Sequence, residues 1–128
     1  MIVTDACVLI AHLEENDVHH DRAGQVLIDC AEHELGISPV TLAEILVGPA
    51  RTGRMEEAHA ALRTLGVQQV AFQENAPDRL AVVRAETGLK LPGCCVLLAA
   101  QDSSAQGIAS FDDRLAAAAR NFGFTVLS

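Results

Sequence analysis

Ile2-Val3-Thr4-Asp5-Ala6-Cys7-Val8-Leu9-Ile10 opens the chain with a strand, an acid and a helix, in that order. The apolar run Met1–Thr4 has strand length, and Asp5 stands where a side-chain oxygen caps the first turn of a helix over Ala6–Leu13. The same unit recurs near the end. Ile108–Ser110 reads as a strand, Asp112 follows it, and a helix follows Asp112 to Asn121. Between the two lie further alternations. His20–Glu32 carries apolar residues at Ala23, Val26, Leu27, Cys30 and Ala31, a helical stripe. Leu35–Ile37 is a short strand. Ser38-Pro39 supplies an N-cap and a proline at the first helical position, opening a helix to about Val47 that Gly48-Pro49 ends. Met55–Leu65 is helical and Val67–Phe72 a strand. Pro77–Thr87 and Pro92–Ser104 are helices, and Phe124–Leu127 is the last strand.

Strands alternating with helices predict a three-layer α/β/α fold around a central parallel sheet of about five strands. At 128 residues the chain is expected to form a single domain, residues 1–128. Half the residues are hydrophobic, with no Trp or Tyr, so the core is aliphatic. No run approaches the roughly 20 apolar residues of a membrane span, and the N-terminus has neither the basic region nor the cleavage site of a signal peptide. Cys7, Cys30, Cys94 and Cys95 have no metal-ligand spacing and read as reduced thiols of a cytoplasmic protein. A net charge of −8 argues against long-range attraction to nucleic acid. It leaves room for a nucleic-acid enzyme whose negative charge is concentrated in a metal site.

In parallel sheets of this kind ligands bind beyond the carboxyl ends of the strands, at the switch in strand order. If the first and fourth strands are neighbours there, Asp5 and Asp112 meet. Each has a structural alternative as a helix cap, worth roughly 1 kcal/mol, and Asp113 competes with Asp112 for that role. Glu44 is harder to explain structurally. Its helical neighbours Val40, Thr41, Val47 and Gly48 are apolar or small, and a carboxylate on such a face is more often a ligand or an ion-pair partner than a solvated charge. His19-His20 precedes a helix and reads as structural, because no nucleophile is placed to partner it.

Together these residues resemble the PIN-domain ribonucleases, and within them the VapC-type toxins of bacterial toxin–antitoxin pairs, over essentially the whole chain. Ile2–Ile10 is similar to the family's first motif, which makes Asp5 its first metal-ligating Asp. Ser38-Pro39-Val40-Thr41-Leu42-Ala43-Glu44 matches the second and carries its Glu onto Glu44. Ser110-Phe111-Asp112 matches the late Thr/Ser-x-Asp motif, with Ser110 as hydroxyl support and Asp113 as a further supporting acid. Leu91-Pro92-Gly93-Cys94 matches the third, except that Gly93 stands where the family has Asp. Asp102, nine residues on in the same expected helix, is about 13 Å away by helical rise and cannot substitute.

The resemblance implies a metal-dependent endoribonuclease using Mg²⁺ or Mn²⁺, with Asp5, Glu44 and Asp112 as catalytic and metal-binding residues and Gly93 as a vacated ligand position. It also implies a small cognate antitoxin, a structured RNA substrate such as tRNA, and a homodimer. Two other readings stand beside it. One is a catalytically dead, antitoxin-binding protein of the same fold. The other is a receiver-like signalling domain, which would want a lysine near the acids; Lys90 is the only lysine.

Overall fold

The computed structural model describes residues 1–128. Its strands are β1 (Ile2–Thr4), β2 (Leu35–Ile37), β3 (Val67–Gln69), β4 (Gly107–Ala109) and β5 (Thr125–Leu127). Its helices are α1 (Ala6–Leu13), α2 (His20–Asp29), α3 (Pro39–Arg51), α4 (Met55–Thr64), α5 (Ala76–Thr87), α6 (Leu91–Asp102) and α7 (Asp113–Asn121). The five strands form one parallel sheet in the order β3-β2-β1-β4-β5. The chain winds outward from β1 to β3, then returns to place β4 on the free side of β1. The switch point therefore falls between β1 and β4, as the two strand–acid–helix units require.

The pleat of these short strands divides the interior into two cores. Ile2, Leu35, Ile37 and Ala109 point to one face and pack with α1, α2, α3 and α4 through Val8, Leu9, Val26, Ile45 and Leu62. Val3 and Ile108 point to the other and pack with α5, α6 and α7 through Val83, Val96, Leu97, Leu115 and Ala119. The result is helices, sheet, helices in three layers. In α6 every residue from Cys94 to Ala100 is buried. A helix apolar all round belongs in a core rather than on a surface, and α6 lies against β1, β2 and β4 as well as α3 and α5.

The element boundaries differ from the sequence expectation by three residues or more in three places. The second helix stops at Asp29 rather than Glu32, because Ala31–Glu34 are exposed and offer nothing to bury. The helix of Glu44 runs through Gly48 and Pro49 to Arg51. Proline costs a helix the bond to residue i−4, but only Ala50 and Arg51 follow it, and the amides of Thr52 and Arg54 both donate to the Pro49 carbonyl, at 3.2 and 2.8 Å. The third strand ends at Gln69, with Gln68 and Gln69 exposed, as suits a sheet edge. No helix is long and apolar enough to cross a membrane.

Candidate active site

At the switch point the Asp5 amide donates to the Ala109 carbonyl at 2.9 Å, which fixes the end of β1 to the end of β4. Asp5 is half-buried and both of its oxygens are engaged. Oδ1 accepts from the Ala6 amide at 2.8 Å, the cap of α1. Oδ2 accepts from the Ser110 hydroxyl at 2.8 Å and from the Cys7 thiol at 3.3 Å. Ser110, 1% exposed, in turn accepts from the Asp112 amide at 3.0 Å. Cys7 Sγ accepts from the Phe111 amide at 3.4 Å. The turn carrying Asp112 is thus tied to Asp5 twice, through a hydroxyl and through a thiol.

Asp112 caps α7. Its Oδ1 accepts from the Arg114 and Leu115 amides at 2.8 and 3.1 Å, and its Oδ2 takes no hydrogen bond. Both Asp residues are therefore helix caps, yet both also line one cavity of about 660 Å³ with Glu44 and Gly93. Capping uses the backbone-facing oxygen and leaves the carboxyl group at the strand ends, so the two roles coexist.

Glu44 reaches the cavity from α3. It is an exposed residue with no hydrogen-bond or ion-pair partner, but its carboxyl pKa is raised, first by desolvation and then by the negative charge of Asp5. The two acids sense each other across the cavity. Burial, followed by the charge of Asp5, pushes the Cys7 thiol up to about 11. Cys95 is also pushed up to about 11, by burial, then Cys94, then Glu44. Neither thiol is a thiolate near neutral pH, so neither is a ready nucleophile.

Gly93 lies in the first turn of α6, facing the same cavity. A Cβ built there meets only Leu89, at 3.7 Å or more, which is ordinary van der Waals contact. Neither backbone conformation nor space requires glycine, and a side chain beginning at that Cβ would start at the wall of the cavity. Asp113, in the first turn of α7, is exposed and does not line the cavity. Asp102 forms an ion pair with Arg79 at 2.6 Å instead.

Three carboxylates around one cavity form an oxygen-only donor set, the kind hard divalent cations take. Glu44 and Asp112 Oδ2 are free to bind. As the side chains stand, however, no three Asp, Glu, His or Cys groups draw close enough to make a ready-formed metal site. The donor chemistry fits a divalent ion.

Several cavity residues were not assigned to the acidic site by sequence. Cys7 looked like an inert core thiol, although its place two residues after Asp5 puts it in the same helical turn. His19, Phe111, Lys90 and Arg114 also line the cavity. His20 is structural, with Nδ1 2.8 Å from the Ala11 carbonyl. His19 makes no capping bond and packs against Phe111.

A parallel sheet whose switch point gathers acids from the ends of two strands and from a flanking helix is an α/β domain with an acidic cavity beyond the carboxyl ends of its strands. The chain belongs to the PIN-domain family, whose model matches residues 2–121. Members of that family are generally nucleases. The family match removes the receiver-like alternative, even though Lys90 does stand beside the acids. The fold is similar to that of a chain in a toxin–antitoxin complex from Klebsiella pneumoniae, with a TM-score of 0.76 at 20% identity over 100% of this chain and 97% of that one. No curated protein matches the sequence.

Proposed function

We propose that this chain is the toxin of a toxin–antitoxin pair, a metal-dependent endoribonuclease weakened or silenced by Gly93. The observation that carries the reading is the shared cavity. Asp5, Glu44 and Asp112 come from three separate places in the sequence and line it together, and Gly93 faces it at a position where a Cβ makes only ordinary contact. The family and the likeness to a toxin–antitoxin complex support the rest.

In this reading Asp5, Glu44 and Asp112 would hold Mg²⁺ or Mn²⁺, which when bound supplies Lewis acidity and lowers the pKa of water. Asp5 is held rigid by Ser110 and Cys7. Glu44, unpartnered and raised in pKa, is suited to orient a water or take its proton. Asp112 keeps Oδ2 free while its Oδ1 stays fixed to α7. RNA, tRNA-like or otherwise structured, is the proposed substrate, a small cognate antitoxin the proposed partner, and a homodimer the proposed assembly. The same pocket with Gly93 in place also supports the catalytically dead alternative, a protein of this fold that binds antitoxin without cutting RNA.

The test compares the chain with its Gly93→Asp form on a tRNA pool, with and without Mg²⁺ or Mn²⁺. Metal-dependent cleavage and growth inhibition are expected from Gly93→Asp, with little or none from the chain as it stands. Equal cleavage by both would remove Gly93 as the vacated position, and cleavage by neither would leave the binding-only reading.

A further inference from the structure

The chain carries 9 Lys and Arg against 17 Asp and Glu, yet it forms one ion pair, Arg79–Asp102. Lys90 and Arg114 line the acidic cavity without a carboxylate partner. Arg22 is equally unpaired. Its guanidinium lies over the ring of Phe111, 4.6 Å from the centroid, and the ring of His19 lies tilted against Phe111 with centroids 5.2 Å apart. Phe111 precedes Asp112 and is the only one of the chain's four phenylalanines on the cavity. Arg22 and His19 are exposed. Eight of the nine Lys and Arg are unpaired; what sets three of them apart is place, since Lys90 and Arg114 line the acidic cavity and Arg22 sits on Phe111, which lines it too, an arrangement that suits an anionic ligand. A planar cation held on an aromatic ring suits a ligand with a flat, polarisable face.

We propose that Arg22, Phe111 and His19 form a nucleobase-binding subsite beside the acidic cavity, where an unpaired RNA base stacks while neighbouring phosphates meet Lys90 and Arg114. The inference rests on the nuclease reading of the cavity and adds to it the residues that select the base next to the cut. Phe111 does not itself need an open face. It holds the Arg22 guanidinium over its ring, 4.6 Å from the centroid, and in the proposed site the base stacks on the outer side of that guanidinium. Stacking tolerates every base to some degree and favours the larger purine surface, so the subsite sets a preference rather than an absolute code. Lys90 and Arg114, by contacting phosphate rather than base, contribute affinity without base choice.

The test uses short single-stranded oligoribonucleotides with 2-aminopurine at successive positions and the chain as it stands, in Mg²⁺, read by base fluorescence and by anisotropy. One position is expected to be quenched on binding. Arg22→Lys, which keeps the charge and loses the plane, is expected to abolish that quench and weaken binding about tenfold with the salt dependence unchanged. Lys90→Ala is expected to keep the quench and lower the salt slope by about 1. Both positions are exposed, so neither change threatens folding. Quench and affinity unchanged in Arg22→Lys overturn the subsite, as does tight binding of an acidic peptide with none of the oligoribonucleotide. If Gly93→Asp cleaves RNA and no position is quenched, the subsite falls alone. If the quench is present and Gly93→Asp cleaves nothing, the nuclease reading falls and the base-binding site stands.

Discussion

At the strand ends, Asp5 gives both oxygens to partners within the chain; across the cavity, Glu44 gives neither. The same asymmetry separates the elements behind them. Ser110 and Cys7 tie β1 to the turn before α7, while the opposite wall, where α3 and α6 meet the cavity, has an unpaired carboxyl and a glycine. One half of the site is ordered by the fold. The other half has packed helices but an acid side chain with no bond to hold it. Preorganised groups lose little on binding, and groups ordered by the ligand offset part of its affinity, so the α3–α6 wall is where this site is weak.

The largest effect is therefore expected from completing that wall. Gly93→Asp adds a hard oxygen donor facing Asp5 and Glu44. A ligand that positions the metal contributes several kcal/mol to the transition state, and each 1.36 kcal/mol is tenfold in rate, so cleavage should rise by about two orders of magnitude or more. Gly93→Ala is the control. Its methyl also fits against Leu89 and should stabilise α6 by up to about 1 kcal/mol, without tightening Mn²⁺ binding. If titration shows Ala and Asp binding Mn²⁺ equally, the difference between the walls is one of helix stiffness and not of ligands.

A smaller effect comes from loosening the ordered half. Ser110→Ala leaves the Asp112 amide without its partner and Asp5 Oδ2 with the Cys7 thiol alone, a loss of roughly 1–3 kcal/mol on urea denaturation. Cys7→Ser keeps a donor and acceptor at the same place and should cost less than Ser110→Ala. The reverse order would mean that the thiol, not the hydroxyl, holds the two turns together.

The strand–acid–helix units at both ends of the chain were legible because strand alternation and capping obey local rules. Those rules placed Asp5 and Asp112 at strand ends, and the observed β1–β4 pairing brought the ends together. Glu44 stood out because its helical face is otherwise apolar. What the sequence concealed depends on neighbours distant in the chain. The Cys7–Phe111 bond spans the whole domain, and Arg22 meets Phe111 only because α2 packs beside the switch point. The end of α3 was misjudged for the opposite reason. Gly48-Pro49 is a strong local stop signal, and it was overridden by two further residues of helix whose cost is small.

A comparison of buried hydroxyls refines the same contrast. Ser38 and Thr41 bond to each other at 2.9 Å at the start of α3, whereas Thr4, fully buried at the end of β1, has no partner for its Oγ1. Burying an unpaired hydroxyl is unfavourable by about 1–3 kcal/mol. Thr4→Val keeps the branched shape and is expected to raise stability by about 1 kcal/mol, seen as a higher Tm. Loss of stability would place a bridging water at Thr4, and the ordered half of the site would then extend one residue deeper than the protein's own bonds.

The smallest effect should be visible only through pH. Because the Glu44 carboxyl is raised by desolvation and then by Asp5, the folded chain holds its proton more tightly than the unfolded chain does. That contribution to stability is fully present below the unfolded carboxylate pKa and is lost as pH rises through the higher folded value. Glu44→Gln removes the titration. Without added metal, the variant should therefore gain stability relative to the parent as pH rises above the ordinary carboxylate range, and the gain should shrink at low pH, where both are uncharged. The difference will be modest because Glu44 is exposed and salt screens it. Saturating Mn²⁺ should reverse the sign at neutral pH, since the parent then has a counter-charge that Gln cannot use. A Glu44→Gln difference in Tm that is flat with pH, with and without Mn²⁺, would show that Asp5 and Glu44 do not share a field, and the open wall would lose its claim to be half of one site.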